Sequence, residues 1–232
     1  MKKVGLIVFA AAIIFGVVIA NFVSFGKTTE MVFDLSVDSE VGGSGNIVTE
    51  ERDLDDFTGI DVGGVFEVEV VSQKDFSVEI DADDNLLPLI KTEVRGGILR
   101  ISTEEDLKSK NTIRVRISAP DIDRIEASGV SKVAVADLKN EELKLDISGV
   151  SKVKLAGQTG NLSVDISGAS HVNAENLKAG IATVDASGAS HVNVNVSEEL
   201  VADASGASKI NYTGSPKSAQ KNSSGVSSIN GK

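Results

Sequence analysis

Between Leu162 and Ala174, apolar and polar residues alternate with a period of two. Leu162, Val164 and Ile166 share one face, and Ser163, Asp165 and Ser167 share the other. After Gly168 the alternation resumes, with Ser170, Val172 and Ala174 on one side and His171 and Asn173 opposite. This pattern predicts two half-buried strands joined by a tight corner. Glycine at the corner supplies the positive φ that a Cβ opposes.

The corner phrase recurs six times: ASGVSKV (127–133), ISGVSKV (147–153), ISGASHV (166–172), ASGASHV (186–192), ASGASKI (204–210) and SSGVSSI (223–229). Its glycines, Gly129, Gly149, Gly168, Gly188, Gly206 and Gly225, are spaced 20, 19, 20, 18 and 19 residues apart. A nearly constant period of that length is one rung of a solenoid. Each rung is predicted as strand, tight corner, strand and looser return. The returns fall at Asp137–Glu142, Gly157–Asn161, Glu175–Gly180, Ser197–Glu199 and Thr213–Lys217.

Stacking turns every repeat position into a column spaced about 4.8 Å. One inward column is Val133, Val153, Val172, Val192, Ile210 and Ile229. Another is serine alone: Ser131, Ser151, Ser170, Ser190, Ser208 and Ser227. Buried hydroxyls must be paired, with each other or with backbone. Outside, His171 and His191 occupy the slot of Lys132, Lys152, Lys209 and Ser228, where any solvated polar residue serves. An asparagine-rich outer column contains Lys154, Asn173, Asn193, Asn211 and Asn230, with Ala134 at its head. An acidic column before the corner contains Glu126, Asp146, Asp165, Asp185 and Asp203. Neighbouring charges at this pitch repel by roughly 1 kcal/mol in water. Asp146, Asp165, Asp185 and Asp203 are therefore weak candidates for a divalent cation. The irregular last rung reads as a cap, or as an end on which another chain stacks.

Upstream the repeat blurs, but alternation persists over Phe57–Asp61, Val65–Val71 and Phe76–Asp81. Further strands are expected at Thr92–Val94, Ile98–Ser102 and Thr112–Ser118. Asp83–Ile90 (DDNLLPLI) reads as one or two helical turns, capped by its acids, with leucines that plug the open end of the solenoid. At the start, Lys2 and Lys3 precede an apolar run from Val4 to Ala20 that continues to Phe25. About 20 such residues span a bilayer as a helix, whereas a signal-peptide core is shorter. The lysines stay cytoplasmic by the positive-inside rule.

The expected fold is all-β. It is a right-handed parallel β-helix of two-strand rungs of about 19–20 residues, with a short helix in the N-terminal half and an N-terminal membrane helix. The expected organisation is a signal-anchor or signal peptide over 1–26, a linker over 27–41 and the solenoid over 42–232, with clear repeats over 121–232.

Composition narrows the chemistry. A net charge of −11 argues against a nucleic-acid partner, because phosphates need a basic surface. Without cysteine there is no disulfide, thiolate metal site or thiol nucleophile. Aromatics at 4% fit a rung with room for small side chains only. The glycine-rich GGSG (42–45) precedes a strand and not a helix, so it is a weak phosphate cradle. The acids Glu50, Glu51, Asp53, Asp55 and Asp56 read as a solvated loop. No catalytic or cofactor-binding residue is assigned.

The segment GSGNIVTEERDLDDFTGIDVGGVFEVEV (43–70), together with the SG-[VA]-S repeats, resembles the head GIN domain family of bacterial envelope adhesin heads. The resemblance implies a β-superhelix with Gly-Ser turns at the corner between sheets. It also implies a non-enzymatic envelope module that binds a glycan or an envelope protein, held at the membrane by its N-terminal helix, in the periplasm or on the cell surface. Self-association through the solenoid ends is a further expectation. Two other functions remain open: a carbohydrate-active enzyme on a β-helix, and the extracytoplasmic sensor of an envelope-stress system.

Overall fold

A computed structural model describes residues 40–232. The predicted leader over 1–26 and almost all of the predicted linker lie outside these residues. Among the described residues no helix is long and apolar enough to cross a membrane.

The described chain is built of strands. It opens with β1 (Val41–Gly42) and β2 (Ile47–Arg52), followed by β3 (Gly59–Gly64) and β4 (Glu67–Ser72). β5 (Ser77–Asp83) leads through a single 3-10 turn, Leu87–Leu89, to β6 (Ile90–Arg95) and β7 (Ile98–Thr103). Next come β8 (Leu107–Lys108), β9 (Arg114–Ala119) and β10 (Arg124–Gly129). Four long strands follow: β11 (Lys132–Ile147), β12 (Lys152–Ile166), β13 (His171–Ala186) and β14 (His191–Ala204). β15 (Lys209–Thr213), β16 (Ser218–Ser223) and β17 (Ser228–Gly231) complete it.

The predicted stack is present. His171 pairs with His191 and Lys152, and Asp165 pairs with Asp146 and Asp185, all in parallel register. Residues before the corner form one sheet surface: β6, β7, β3, β10, the second halves of β11 to β14, then β16. Residues after it form the other: β2, β5, β9, β4, the first halves of β11 to β14, then β15 and β17. Between them runs one core, from Phe57 and Ile60 through Leu143, Val164 and Val184 to Ile210. Fully burying each Val, Leu or Ile contributes about 1.5–3 kcal/mol, which is how a chain so poor in aromatics holds together.

The structure corrects five expectations. The returns are not loops: β11 to β14 run unbroken for 14–16 residues from one surface to the other, with register shifts where they bend. The stack is not parallel throughout, because β2–β5, β5–β9 and β6–β7 pair antiparallel at the N-terminal end. The short helix is one 3-10 turn with no side-chain cap, since Pro88 and the following strand leave no room for an α-helix. Of its expected plugging residues, Leu86, Leu87 and Ile90 are buried, and Leu87 and Ile90 belong to the core, while Leu89 is half-buried. Val41, assigned to the linker, is in β1 and pairs with Leu107.

The repeat also begins earlier than 121. β3 pairs with β10 so that Gly64 faces Gly129, and β4 pairs with β11 so that Val68 faces Val133. The phrase VGGVFEV (62–68) is therefore a seventh corner, with buried Phe66 in the serine slot.

Candidate functional site

The corner sets every outward residue, so the surface is built from it. Gly129, Gly149, Gly168, Gly188, Gly206 and Gly225 all have φ between 69° and 76°. A Cβ on Gly188 lies 2.5 Å from the Gly168 carbonyl oxygen, so only glycine allows the rungs to stack. The serines beside them are buried except for half-buried Ser227. The hydroxyls of Ser131, Ser151, Ser170, Ser208 and Ser227 donate to backbone carbonyls at or beside the corner, while the Ser190 hydroxyl has no partner among the described residues. Ser208 Oγ donates to Ser205 O at 2.7 Å and Ala186 O at 3.0 Å, and Ser151 Oγ to Ser148 O at 3.0 Å. Holding the corner this way fixes the residues on either side of it. The residue after each glycine faces solvent, leaving Val65, Val130, Val150 and Val226 exposed along one ridge.

On the post-corner surface the outer column reads Arg114, Glu67, Lys132, Lys152, His171, His191, Lys209 and Ser228. Among the described residues, none of Lys132, Lys152, Lys154 and Lys209 has a carboxylate within ion-pair distance. The two imidazoles are stacked, with centroids 5.0 Å apart and planes 9° from parallel. They are half-buried rather than freely solvated. Burial, then the neighbouring His191 and Lys152, hold His171 below the usual imidazole range. The pair therefore leaves the lysine column uninterrupted by negative charge.

In the asparagine column beside it, two neighbouring amides bond one another. Asn193 and Asn211 are buried, and the Asn211 amide nitrogen donates to Asn193 Oδ1 at 2.9 Å and reaches His191 Nε2 at 3.1 Å. Stacking lets each amide cover the next, and buried amides need these partners. Ala134 interrupts this column. Where a long side chain would stand, a groove of about 490 Å³ opens between Glu69, Lys154 and Asn173.

The pre-corner surface has the opposite sign. Asp61, Glu126, Asp146, Asp165, Asp185 and Asp203 stand in one column. Glu126 meets Arg124 at 3.5 Å and Asp203 accepts from Asn222 at 2.7 Å. Asp146, Asp165 and Asp185 have no ion-pair partner among the described residues. Arg124 and Lys144 flank the column at its upper end, but Ser163 and Thr183 are the neighbours lower down. A single line of carboxylates offers no cage, and among the described residues no group of three His, Cys, Asp or Glu side chains is placed to hold a metal. Of the acids read as a solvated loop, Glu50 and Glu51 lie instead in β2, paired with β5, and Glu50 meets Arg52 at 3.3 Å; only Asp53, Asp55 and Asp56 lie beyond the strand.

The GGSG segment does cradle an anion, but one from its own chain. Gly45 N–H donates to Asp83 Oδ1 at 2.7 Å and Ser44 N–H to Asn85 Oδ1 at 2.8 Å. Ser109 and Asn111 complete the shell of buried Asp83. The Ser109 hydroxyl, then the Gly45 and Asn111 donors, hold this carboxyl below its ordinary range. Sequence spacing hid the clasp, because its parts lie about forty residues apart along the chain.

The family described as "Putative auto-transporter adhesin, head GIN domain" matches residues 56–216. The chain belongs to the head GIN family. The matched stretch starts just before β3 and ends before β16, so the glycine-rich clasp loop and the last rung lie outside it. No curated protein matches the chain in sequence. Among solved structures, a putative adhesin from Bacteroides fragilis superposes with a TM-score of 0.68 at 22% identity, covering 83% of this chain and 100% of its own. A putative adhesin from Parabacteroides merdae gives 0.55 at 18% identity, covering 83% and 99%. One from Parabacteroides distasonis gives 0.53 at 18%, covering 84% and 100%. The head GIN solenoid is thus shared at low identity, as expected where the fold asks only for small corner residues and alternating strands.

Proposed function

We propose that this head GIN domain is a non-enzymatic adhesion module of the cell envelope, displayed outside the cytoplasmic membrane, that binds an acidic partner through its post-corner surface. The observation that carries this is that Lys132, Lys152, Lys154 and Lys209 share one surface with no ion-pair partner among the described residues, with Lys154 lining the Ala134 groove. Positive charge held in a straight line on a rigid sheet is pre-organised for a partner with regularly spaced negative groups. The family description and the adhesin-like relatives support the same class of activity. The acidic opposite surface and the scarcity of aromatics argue against a nucleic acid.

Retention on a polyuronate (alginate) resin tests this reading. The wild-type chain is expected to be retained at low salt and released as salt rises, without liberation of reducing sugar. Replacing Lys132, Lys152, Lys154 and Lys209 by alanine is expected to lower affinity at least tenfold. Undiminished retention of that variant would overturn the proposal.

A further inference from the structure

The two outer surfaces of this solenoid carry opposite charge. Lys132, Lys152, Lys154 and Lys209 lie on one, and Asp146, Asp165, Asp185 and Asp203 lie on the other. The aspartates stand on successive rungs about 4.8 Å apart; Lys132 and Lys152 are spaced the same way, Lys154 stands beside Lys152, and Lys209 follows after the two histidine rungs. Among the described residues neither set has an ion-pair partner, and Asp203 accepts only the Asn222 amide. Like charges stacked so closely repel, and a matching ladder of opposite sign relieves both.

We infer that the acidic partner is a second copy of this chain, whose pre-corner surface docks on the post-corner surface of the first. The inference rests on the functional reading above and names the partner of the same surface. The carboxylates of this surface repeat at the strand spacing that also separates Lys132 from Lys152. His171 and His191 lie between the lysines without placing a carboxylate in the way. The groove at Ala134 lies beside Lys154, and leaves room there for an incoming carboxylate side chain.

The geometry also sets the strength and the form of the assembly. Six strands of five residues present a face on the order of 500 Å² per partner, at the low end of specific interfaces. A single contact is therefore weak, and adhesion comes from many copies together. Each copy offers one surface of each sign, so the contact is heterologous and continues into rows. The solenoid ends are less suited to this. Lys221 occupies a position that is apolar in the rung before it, opposite Ala202, and its amine bonds Tyr212 Oη at 2.7 Å. A charge there opposes end-to-end stacking.

Charge exchange tests the inference. The full chain is coupled to beads, and clustering is counted at low ionic strength. Wild-type beads are expected to cluster and to disperse reversibly at 0.5 M NaCl, beyond the range of screened charges. Beads bearing Lys132→Glu, Lys152→Glu, Lys154→Glu and Lys209→Glu are expected to cluster at least tenfold less. So are beads bearing Asp146→Lys, Asp165→Lys, Asp185→Lys and Asp203→Lys. Mixing the two variants is expected to restore clustering, because each then offers what the other lacks. All eight positions are exposed, so both variants are expected to fold, which circular dichroism checks. Failure of the mixture to cluster would overturn the inference. If the lysine variant still loses alginate binding, the functional reading stands alone; if it binds alginate as wild type does, that reading falls too.

Discussion

At the scale of the residue, the corner glycine is the most constrained position in the molecule. Two demands coincide at Gly188: a left-handed φ of 71°, and a carbonyl oxygen 2.5 Å from where a Cβ would stand. At Gly96 only the first applies, since φ is 62° and nothing lies within 4 Å of an added Cβ. Gly96→Ala is therefore expected to cost about 1–2 kcal/mol, the left-handed penalty alone. Gly188→Ala is expected to cost clearly more, because the rung above must also shift. Urea unfolding of the two variants measures the difference, and equal midpoints would show that the stack does not press on the corner. Glycine and serine at these positions were legible in the sequence because they repeat. Phe66 was not: it fills the serine slot of the first corner, and the substitution hides that corner from a search for the phrase. Asn193 and Asn211 were legible as an outer column but not as buried, since their partners lie eighteen to twenty residues away along the chain.

At the scale of the element, alternation predicted the strands, and glycine spacing predicted their stacking. The continuity of β11 to β14 through the returns was hidden. Variable composition there looks like loop, yet hydrogen bonds such as those aligning Lys139 with Gln158 and Lys178 keep the backbone in the ladder. The last element shows how such a stack ends. β16 is exposed along its whole length, and Lys221 sits over Tyr212 with its amine 4.7 Å from the ring centre. Lys221→Leu exchanges this charge for an apolar surface on an unpaired strand edge, the arrangement that templates aggregation. The variant is expected to fold but to form larger, salt-resistant species in sedimentation velocity. If its sedimentation matches that of wild type, the capping role assigned to Lys221 is wrong.

At the scale of the whole molecule, the N-terminal half is threaded out of order. β3 and β4 are laid down first, but β7 and β9 later insert on one side of them and β10 and β11 on the other. The clasp around Asp83 joins the three segments that this threading brings together: the 42–46 loop, 83–85 and 109–111. Because the folded carboxyl titrates below 3.8, its contribution is complete above that pH. It is lost as pH falls from 3.8 through the lower folded value. Asp83→Ala is expected to raise amide exchange at Ser44 and Gly45 at neutral pH while leaving the rungs from β12 onward protected, as nearest-neighbour stability requires. Removing the carboxyl is also expected to flatten the acid limb of the stability curve. Unchanged exchange at Gly45 would show that the clasp does not hold the loop.

The sequence by itself determined the rung, its period, the glycine corner and the sign of each outer column, because these depend on residues within one repeat. Tertiary structure alone decided the order in which rungs lie, the antiparallel cap, the Asp83 clasp and the burial of the asparagines. Those depend on which distant segments touch, and a period of two along a strand carries no record of the strand that will lie beside it.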